Sequence, residues 1–189
     1  MNSLYFIRHG RTEANEKKLY CGSTDLPLSE QGKEELKTLT YTVPTKTLFV
    51  TSGMKRTEQT LEILFGNVPH QTDAHFREVD FGLFEMKGYE ELKDREDYQQ
   101  WISGDNEKNI PPQGESGEQM LNRVLEGLQQ LQTMDQPVVL IAHGGVIAAM
   151  MAYLFPEEGK NRYQWQPQPG HGYLIKEGNY QEITNEKSI

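Results

Sequence analysis

Val138-Val139-Leu140-Ile141-Ala142 is an unbroken apolar run that stops at His143-Gly144-Gly145, and it limits the possible folds more than any other stretch of the chain. A strand with one wet face alternates apolar and polar residues, whereas an unbroken run needs cover on both faces, as a central strand of a parallel sheet has. Two further apolar runs precede it. Leu4-Tyr5-Phe6-Ile7 ends at Arg8-His9-Gly10, and Leu48-Phe49-Val50 leads through a polar turn into residues 54–65, where Thr57, Leu61 and Leu64 recur at helical spacing before Gly66. Residues 30–39 predict a surface helix capped by Ser29, with Leu36 and Leu39 on one face. Residues 89–101 predict one strongly charged helix with a solvated acidic face at 90–97.

Met120, Val124, Leu128 and Leu131 trace one apolar stripe, and residues 146–155 read as a buried helix. The Pro- and Gly-containing segment 105–117 is read as an intradomain loop, because the stripe that follows must pack on something. Tyr173-Leu174-Ile175 and Tyr180-Gln181-Glu182-Ile183 flank Glu177-Gly178-Asn179 as a hairpin. The expected fold is α/β: a three-layer sandwich with a mixed, mainly parallel central sheet flanked by helices, the hairpin forming its antiparallel edge.

Composition narrows the function. The chain of 189 residues fits one domain spanning 1–189, long enough to bury roughly 70% of its unfolded surface. With 19 Lys+Arg against 28 Asp+Glu, the net charge of -9 opposes nucleic acid and anionic lipid as partners, so any anion site must be local. Cys21 is the sole cysteine, which excludes an internal disulfide and suits a reducing cytoplasm. No apolar run approaches the ~20 residues of a membrane span, and the N-terminal apolar stretch is too short for a signal peptide. A soluble cytoplasmic protein is the expectation.

In parallel sheets ligands gather at the C-terminal ends of strands, which here carry Arg8-His9-Gly10, Ser52-Gly53-Met54-Lys55-Arg56 and His143-Gly144-Gly145. If the three strands are neighbours, their cations enclose a phosphate-sized cup. Guanidinium forks match phosphate oxygens, and their charge lowers the pKa of at least one imidazole. A neutral His9, with one ring nitrogen held by a backbone carbonyl, then attacks phosphorus, while His143 stabilises the transition state. Departure of the alcohol needs an acid. Glu78, in Phe76-Arg77-Glu78-Val79-Asp80-Phe81-Gly82 with aromatic neighbours that would raise its pKa, is one candidate and Asp80 the other. An electropositive cup would also lower the thiol pKa of Cys21.

The stretch Phe6-Ile7-Arg8-His9-Gly10-Arg11-Thr12-Glu13-Ala14-Asn15 resembles the signature of the histidine phosphatase (phosphoglycerate mutase-like) superfamily. The likeness continues through Gly22-Ser23-Thr24-Asp25-Leu26-Pro27-Leu28-Ser29, Ser52 to Thr60, Arg77-Glu78, Gly114-Glu115-Ser116 and His143-Gly144-Gly145. The resemblance implies a phosphohistidine at His9, Glu78 as proton donor, and Arg8, Asn15, Arg56 and His143 around the phosphoryl group. Cys21, Gly22 and Gly144 are further candidate substrate contacts. The resemblance also implies no metal and no cofactor. Cys21 stands where many members carry a polar amide, and Met86 replaces the usual glycine after Phe84-Glu85.

The expected activity is that of a histidine acid phosphatase-type phosphoric monoester hydrolase acting on a small phosphorylated metabolite, as a monomer or homodimer. Chain length and Tyr89-Glu90-Glu91-Leu92 look similar to the short α-ribazole 5′-phosphate phosphatases. Mutase-type phosphoryl transfer and a non-catalytic phospholigand-binding domain are the alternatives. A metallohydrolase is disfavoured, because the histidines lack ligand spacing with an adjacent acid.

Overall fold

The computed structural model describes residues 2–105 and 107–184; Met1, Asn106 and residues 185–189 of the expected 1–189 span lie outside the described residues. Six strands form one sheet in the order β3-β2-β4-β1-β5-β6: β1 Leu4–Arg8, β2 Leu48–Thr51, β3 His70–Thr72, β4 Val138–Ala142, β5 Gly172–Lys176 and β6 Asn179–Ile183. β4 lies between β1 and β2, parallel to both, with Leu4 and Leu48 in register with Val138. The C-terminal hairpin is antiparallel, β5 pairing with β1 and β6 closing the edge.

Every residue of β4 is fully buried. Its even-numbered side chains Val138, Leu140 and Ala142 join Leu4 and Phe6 on one face of the sheet. Val139 and Ile141 join Tyr5 and Ile7 on the other. The period of two along a strand therefore feeds two cores. The first is covered by α6 (Gly117–Gln132) and α7 (Gly144–Leu154), the second by Leu61 of α3 (Lys55–Phe65) and by Tyr41. Ser29 caps α2 (Glu30–Lys37) through the N–H of Gly32. A short helix, α1 (Glu13–Glu16), follows β1 and is closed by a reciprocal box between Thr12 and Asn15.

Two expectations change, and one strand gives no signal in the sequence. Residues 89–101 form two helices, α4 (Tyr89–Leu92) and α5 (Glu96–Ile102), with Arg95 extended between them. Leu92 and Tyr98 both join Phe84 in one cluster, and a spacing of six would set them about 120° apart around one continuous helix. The break lets both face inward. β3 carried no apolar signal because all of it is exposed at the sheet edge. α7 begins at Gly144 rather than at residue 146, so His143 leaves β4 directly into a helix N-terminus. A last short helix, α8 (Arg162–Trp165), packs against α7 and buries Trp165 in the first core.

Leu140→Ala removes a fully buried side chain from the middle of the sheet and is expected to lower stability by about 2–5 kcal/mol. Leu83→Ala, at an exposed side chain, should change it by less than ~0.5 kcal/mol. Urea titration of the two variants measures the difference.

Candidate active site

The C-terminal ends of β1, β2 and β4 deliver Arg8-His9, Ser52 to Arg56 and His143 to one place because the three strands are adjacent and parallel. A cavity of about 130 Å³ opens there, with Arg8, His9, Asn15, Arg56, Glu78 and Gly144 in its wall. Cys21 also borders it. The imidazoles of His9 and His143 meet edge to face, centroids 5.1 Å apart.

His9 is oriented by its own turn. Nδ1 lies 2.7 Å from the carbonyl oxygen of Gly10, a contact that requires the proton on Nδ1 and leaves the Nε2 lone pair bare. Burial first, then the charges of Arg56 and Arg8, hold the His9 pKa well below the ordinary value of 6.5, against a smaller upward pull from the Gly10 carbonyl. A neutral ring with a bare nitrogen is the nucleophilic form.

Arg56 is 1% exposed. Its Nε donates to His143 Nδ1 at 3.2 Å, and its terminal nitrogens donate to the carbonyls of Thr24 at 2.9 Å and Gly22 at 2.8 Å. Arg8 donates to the Pro167 carbonyl at 2.7 Å, and its buried Nε has no partner. Among the described residues neither guanidinium forms an ion pair with a carboxylate. A buried cation, Arg56, beside a half-buried one, Arg8, with no direct carboxylate partner for either, is costly unless an anion joins them. The cup therefore favours an anion of phosphate size.

His143 differs from its expected role in one respect: both ring nitrogens are occupied. Since Nδ1 accepts from Arg56, Nε2 carries the proton and donates to Ser52 Oγ at 2.8 Å. Ser52 passes the chain to Thr57, whose hydroxyl donates to the Met54 carbonyl. Burial first, then Arg56 and His9, keep His143 neutral with a pKa well below 6.5. In this arrangement it aims Arg56.

Glu78 reaches the cup from the irregular segment after β3. Its carboxylate accepts the N–H of Val79 at 3.0 Å and that of Gly145, in the first turn of α7, at 2.9 Å. A Cβ on Gly145 would lie 2.5 Å from Glu78 Oε1, so only glycine permits this approach. Asp80 points elsewhere, accepting from Ser23 Oγ and the Gly82 N–H. Asn15 combines two placements: its Oδ1 accepts from Thr12 as part of the helix box, while its side chain also borders the cup.

Gly22 is not brought to the cavity wall. Its carbonyl serves Arg56 and its N–H serves Glu85, so both backbone groups are committed within the protein. Gly144 borders the cup as the first residue of α7, where N–H groups have no intrahelical acceptor. For Cys21 the expected electrostatics are reversed: burial outweighs the lowering by Arg56 and pushes the thiol pKa up, and Sγ contacts the Thr24 carbonyl at 3.5 Å.

Glu85 escaped the sequence reading. Its carboxylate accepts from the N–H groups of Gly22, Ser23, Thr24 and Phe81 and from the Thr24 hydroxyl. It thereby folds the loop whose carbonyls hold Arg56. No local pattern announces this, because most of the donors lie about sixty positions upstream. Met86 beside it takes φ +59°, a left-handed conformation that favours glycine.

A mixed α/β sheet with an anion cup at its parallel strand ends is the architecture of the phosphoglycerate mutase-like phosphotransfer proteins. The model of the histidine phosphatase superfamily (branch 1) matches residues 4–182, and the chain belongs to that superfamily. It is 28% identical over 176 residues to the adenosylcobalamin/α-ribazole phosphatase of Salmonella typhimurium, covering 88% of this chain and 86% of that one. The α-ribazole phosphatase structure from Shigella flexneri superposes with a TM-score of 0.81 at 25% identity, covering 99% of this chain and 98% of that one. A phosphoglycerate mutase structure from Thermus thermophilus gives 0.75 at 26% identity, with 97% and 99% covered. Family and relatives together support a phosphatase enzyme.

Both imidazoles have depressed folded pKa values, so below the unfolded value of about 6.5 the unfolded chain binds protons that the folded chain refuses. The stability they contribute is complete above that value and falls as the pH drops. Unfolding free energy measured from about pH 7 down to about pH 5 should decline more shallowly in His143→Gln than in the parent. Glu85→Ala should weaken inhibition by inorganic phosphate roughly tenfold or more, ~1.4 kcal/mol, through release of the Arg56 loop.

Proposed function

We propose that the protein hydrolyses phosphomonoesters of small metabolites through a phosphohistidine at His9, in the manner of a histidine acid phosphatase. One observation carries the reading: the bare Nε2 of a neutral His9 sits in a cup with the buried guanidinium of Arg56 and the half-buried one of Arg8, neither of them in a direct ion pair with a carboxylate among the described residues. The Nε2 lone pair attacks phosphorus as the phosphorus–oxygen bond to the alcohol breaks. Arg8, Arg56 and Asn15 take the charge on the equatorial oxygens. Glu78 gives its proton to the departing alkoxide. As carboxylate it then takes a proton from the water that attacks the phosphohistidine, returning neutral His9 and releasing inorganic phosphate.

The leaving-group side supports a phosphatase over a mutase. A cavity of about 440 Å³ adjoins the cup and shares Glu78 with it; Tyr20, Phe81, Trp101 and Tyr163 line it. Among the described residues its one cation, Arg162, is paired with Glu107, and its other carboxylate, Glu115, is paired with Arg123. A chamber with aromatic walls, whose cation is already paired, suits an uncharged, flat alcohol more than a second anionic substituent. α-Ribazole 5′-phosphate fits that description, and phosphoglycerates fit it less well.

The test is turnover of a phosphometabolite panel including α-ribazole 5′-phosphate, 3-phosphoglycerate and p-nitrophenyl phosphate. Brief mixing with labelled substrate should leave an acid-labile phosphoenzyme, and His9→Ala should lose both label and turnover, by at least ~10³-fold. Tight phosphate binding without turnover would instead identify a phospholigand-binding domain, and isomerisation of phosphoglycerate without net phosphate release a mutase.

A further inference from the structure

Arg123, on α6 and outside the cup, commits every hydrogen-bond donor it has to the segment that carries Glu78 and to Glu115 beside it. Nε donates to Glu115 Oε1 at 2.7 Å and NH2 to Glu115 Oε2 at 2.8 Å. NH1 donates to the carbonyls of His75 and Arg77, both at 2.7 Å, and NH2 also reaches the Glu78 carbonyl at 3.1 Å. These acceptors use all the N–H bonds of a guanidinium, leaving none for a ligand. Glu115 extends the same clamp, donating its N–H to the Asp80 carbonyl and accepting the Asp80 N–H at 3.4 Å.

The segment needs such a clamp. After the single turn Ala74–Phe76 the chain runs without helix or strand until Gly82–Phe84. Its carbonyls consequently lack the regular partners of secondary structure. The Glu78 head group is fixed separately, by the N–H of Gly145 on α7. Two helices thus hold the acid at both ends, α6 at its backbone and α7 at its carboxylate.

We infer that Arg123, paired with Glu115, is a positioning residue for proton donation by Glu78, so that the pair governs how strongly the rate depends on the leaving group. The inference rests on the reading of Glu78 as the acid. A proton donor matters little for a leaving group that departs as a stable anion and greatly for an alkoxide, and a misplacement of about 1 Å costs about a hundredfold. Lysine cannot substitute, having a point charge in place of a planar fork.

The experiment compares kcat/KM of the full-length protein across a series from 2,4-dinitrophenyl through p-nitrophenyl and phenyl to ethyl phosphate. The parent, Glu78→Gln, Arg123→Lys, Glu115→Gln and the double variant Glu78→Gln/Arg123→Lys are measured, each with its unfolding transition. Glu78→Gln should steepen the leaving-group dependence. Arg123→Lys should steepen it in the same sense, losing roughly ten- to a hundredfold more on ethyl phosphate than on the dinitrophenyl ester, within the range a general acid supplies. Glu115→Gln, which keeps one acceptor of the pair, should fall between. In the double variant the lysine should add no further steepening. A uniform loss in Arg123→Lys at the parental slope, while Glu78→Gln is steep, would overturn the positioning role and leave the acid assignment standing. A parental slope in Glu78→Gln would overturn both.

Discussion

The buried guanidinium of Arg56 is the constraint around which the site is arranged. A charge taken out of water must be surrounded by acceptors. Here they are two carbonyls from the loop at Gly22 to Thr24 and one imidazole from the end of β4. Each acceptor requires support of its own. The loop is held by Glu85, and the imidazole by Ser52 and Thr57. None of the three groups that accept from Arg56 itself is a carboxylate, so the positive charge stays available to a bound anion.

The acid is built on the opposite principle. Glu78 belongs to no regular element and is held chiefly by groups from helices packed on one face of the sheet, Arg123 from α6 and the first turn of α7. Nucleophile and acid therefore depend on different parts of the structure: His9 on the sheet and its own turn, Glu78 on the α6–α7 layer. Damage to helix packing should reach the proton transfer before it reaches the nucleophile.

The sheet was legible because apolar runs announce strands wherever both faces are covered, as in β1, β2 and β4. β3 was hidden because its exposed residues give no such run. The break between α4 and α5 was hidden because only the tertiary cluster around Phe84 demands it. Among functional groups, the strand-end residues stood out as polar punctuation after apolar runs. Glu85 and Arg123 did not, since what makes them important is the set of distant backbone groups they satisfy. Gly22 stands in a motif that suggests a substrate contact, while its place in the Arg56 support exists only in the folded loop. The cations around the cup suggest an acidified Cys21, but composition says nothing of how deeply a thiol is buried, and burial dominates here.

The strand order has a temporal meaning as well. β4 enters between β1 and β2 although nearly ninety residues separate it from β2 in the chain. Until it does, the sheet lacks its middle, and Arg8 and Arg56 follow strands that have no shared neighbour between them. A polypeptide emerging from the ribosome thus carries every residue of its first two strand-end motifs long before it possesses a pocket. In chain order the last parallel strand is also the one that unites the anion site, so a phosphate analogue should recognise only chains in which β4 has paired with both neighbours.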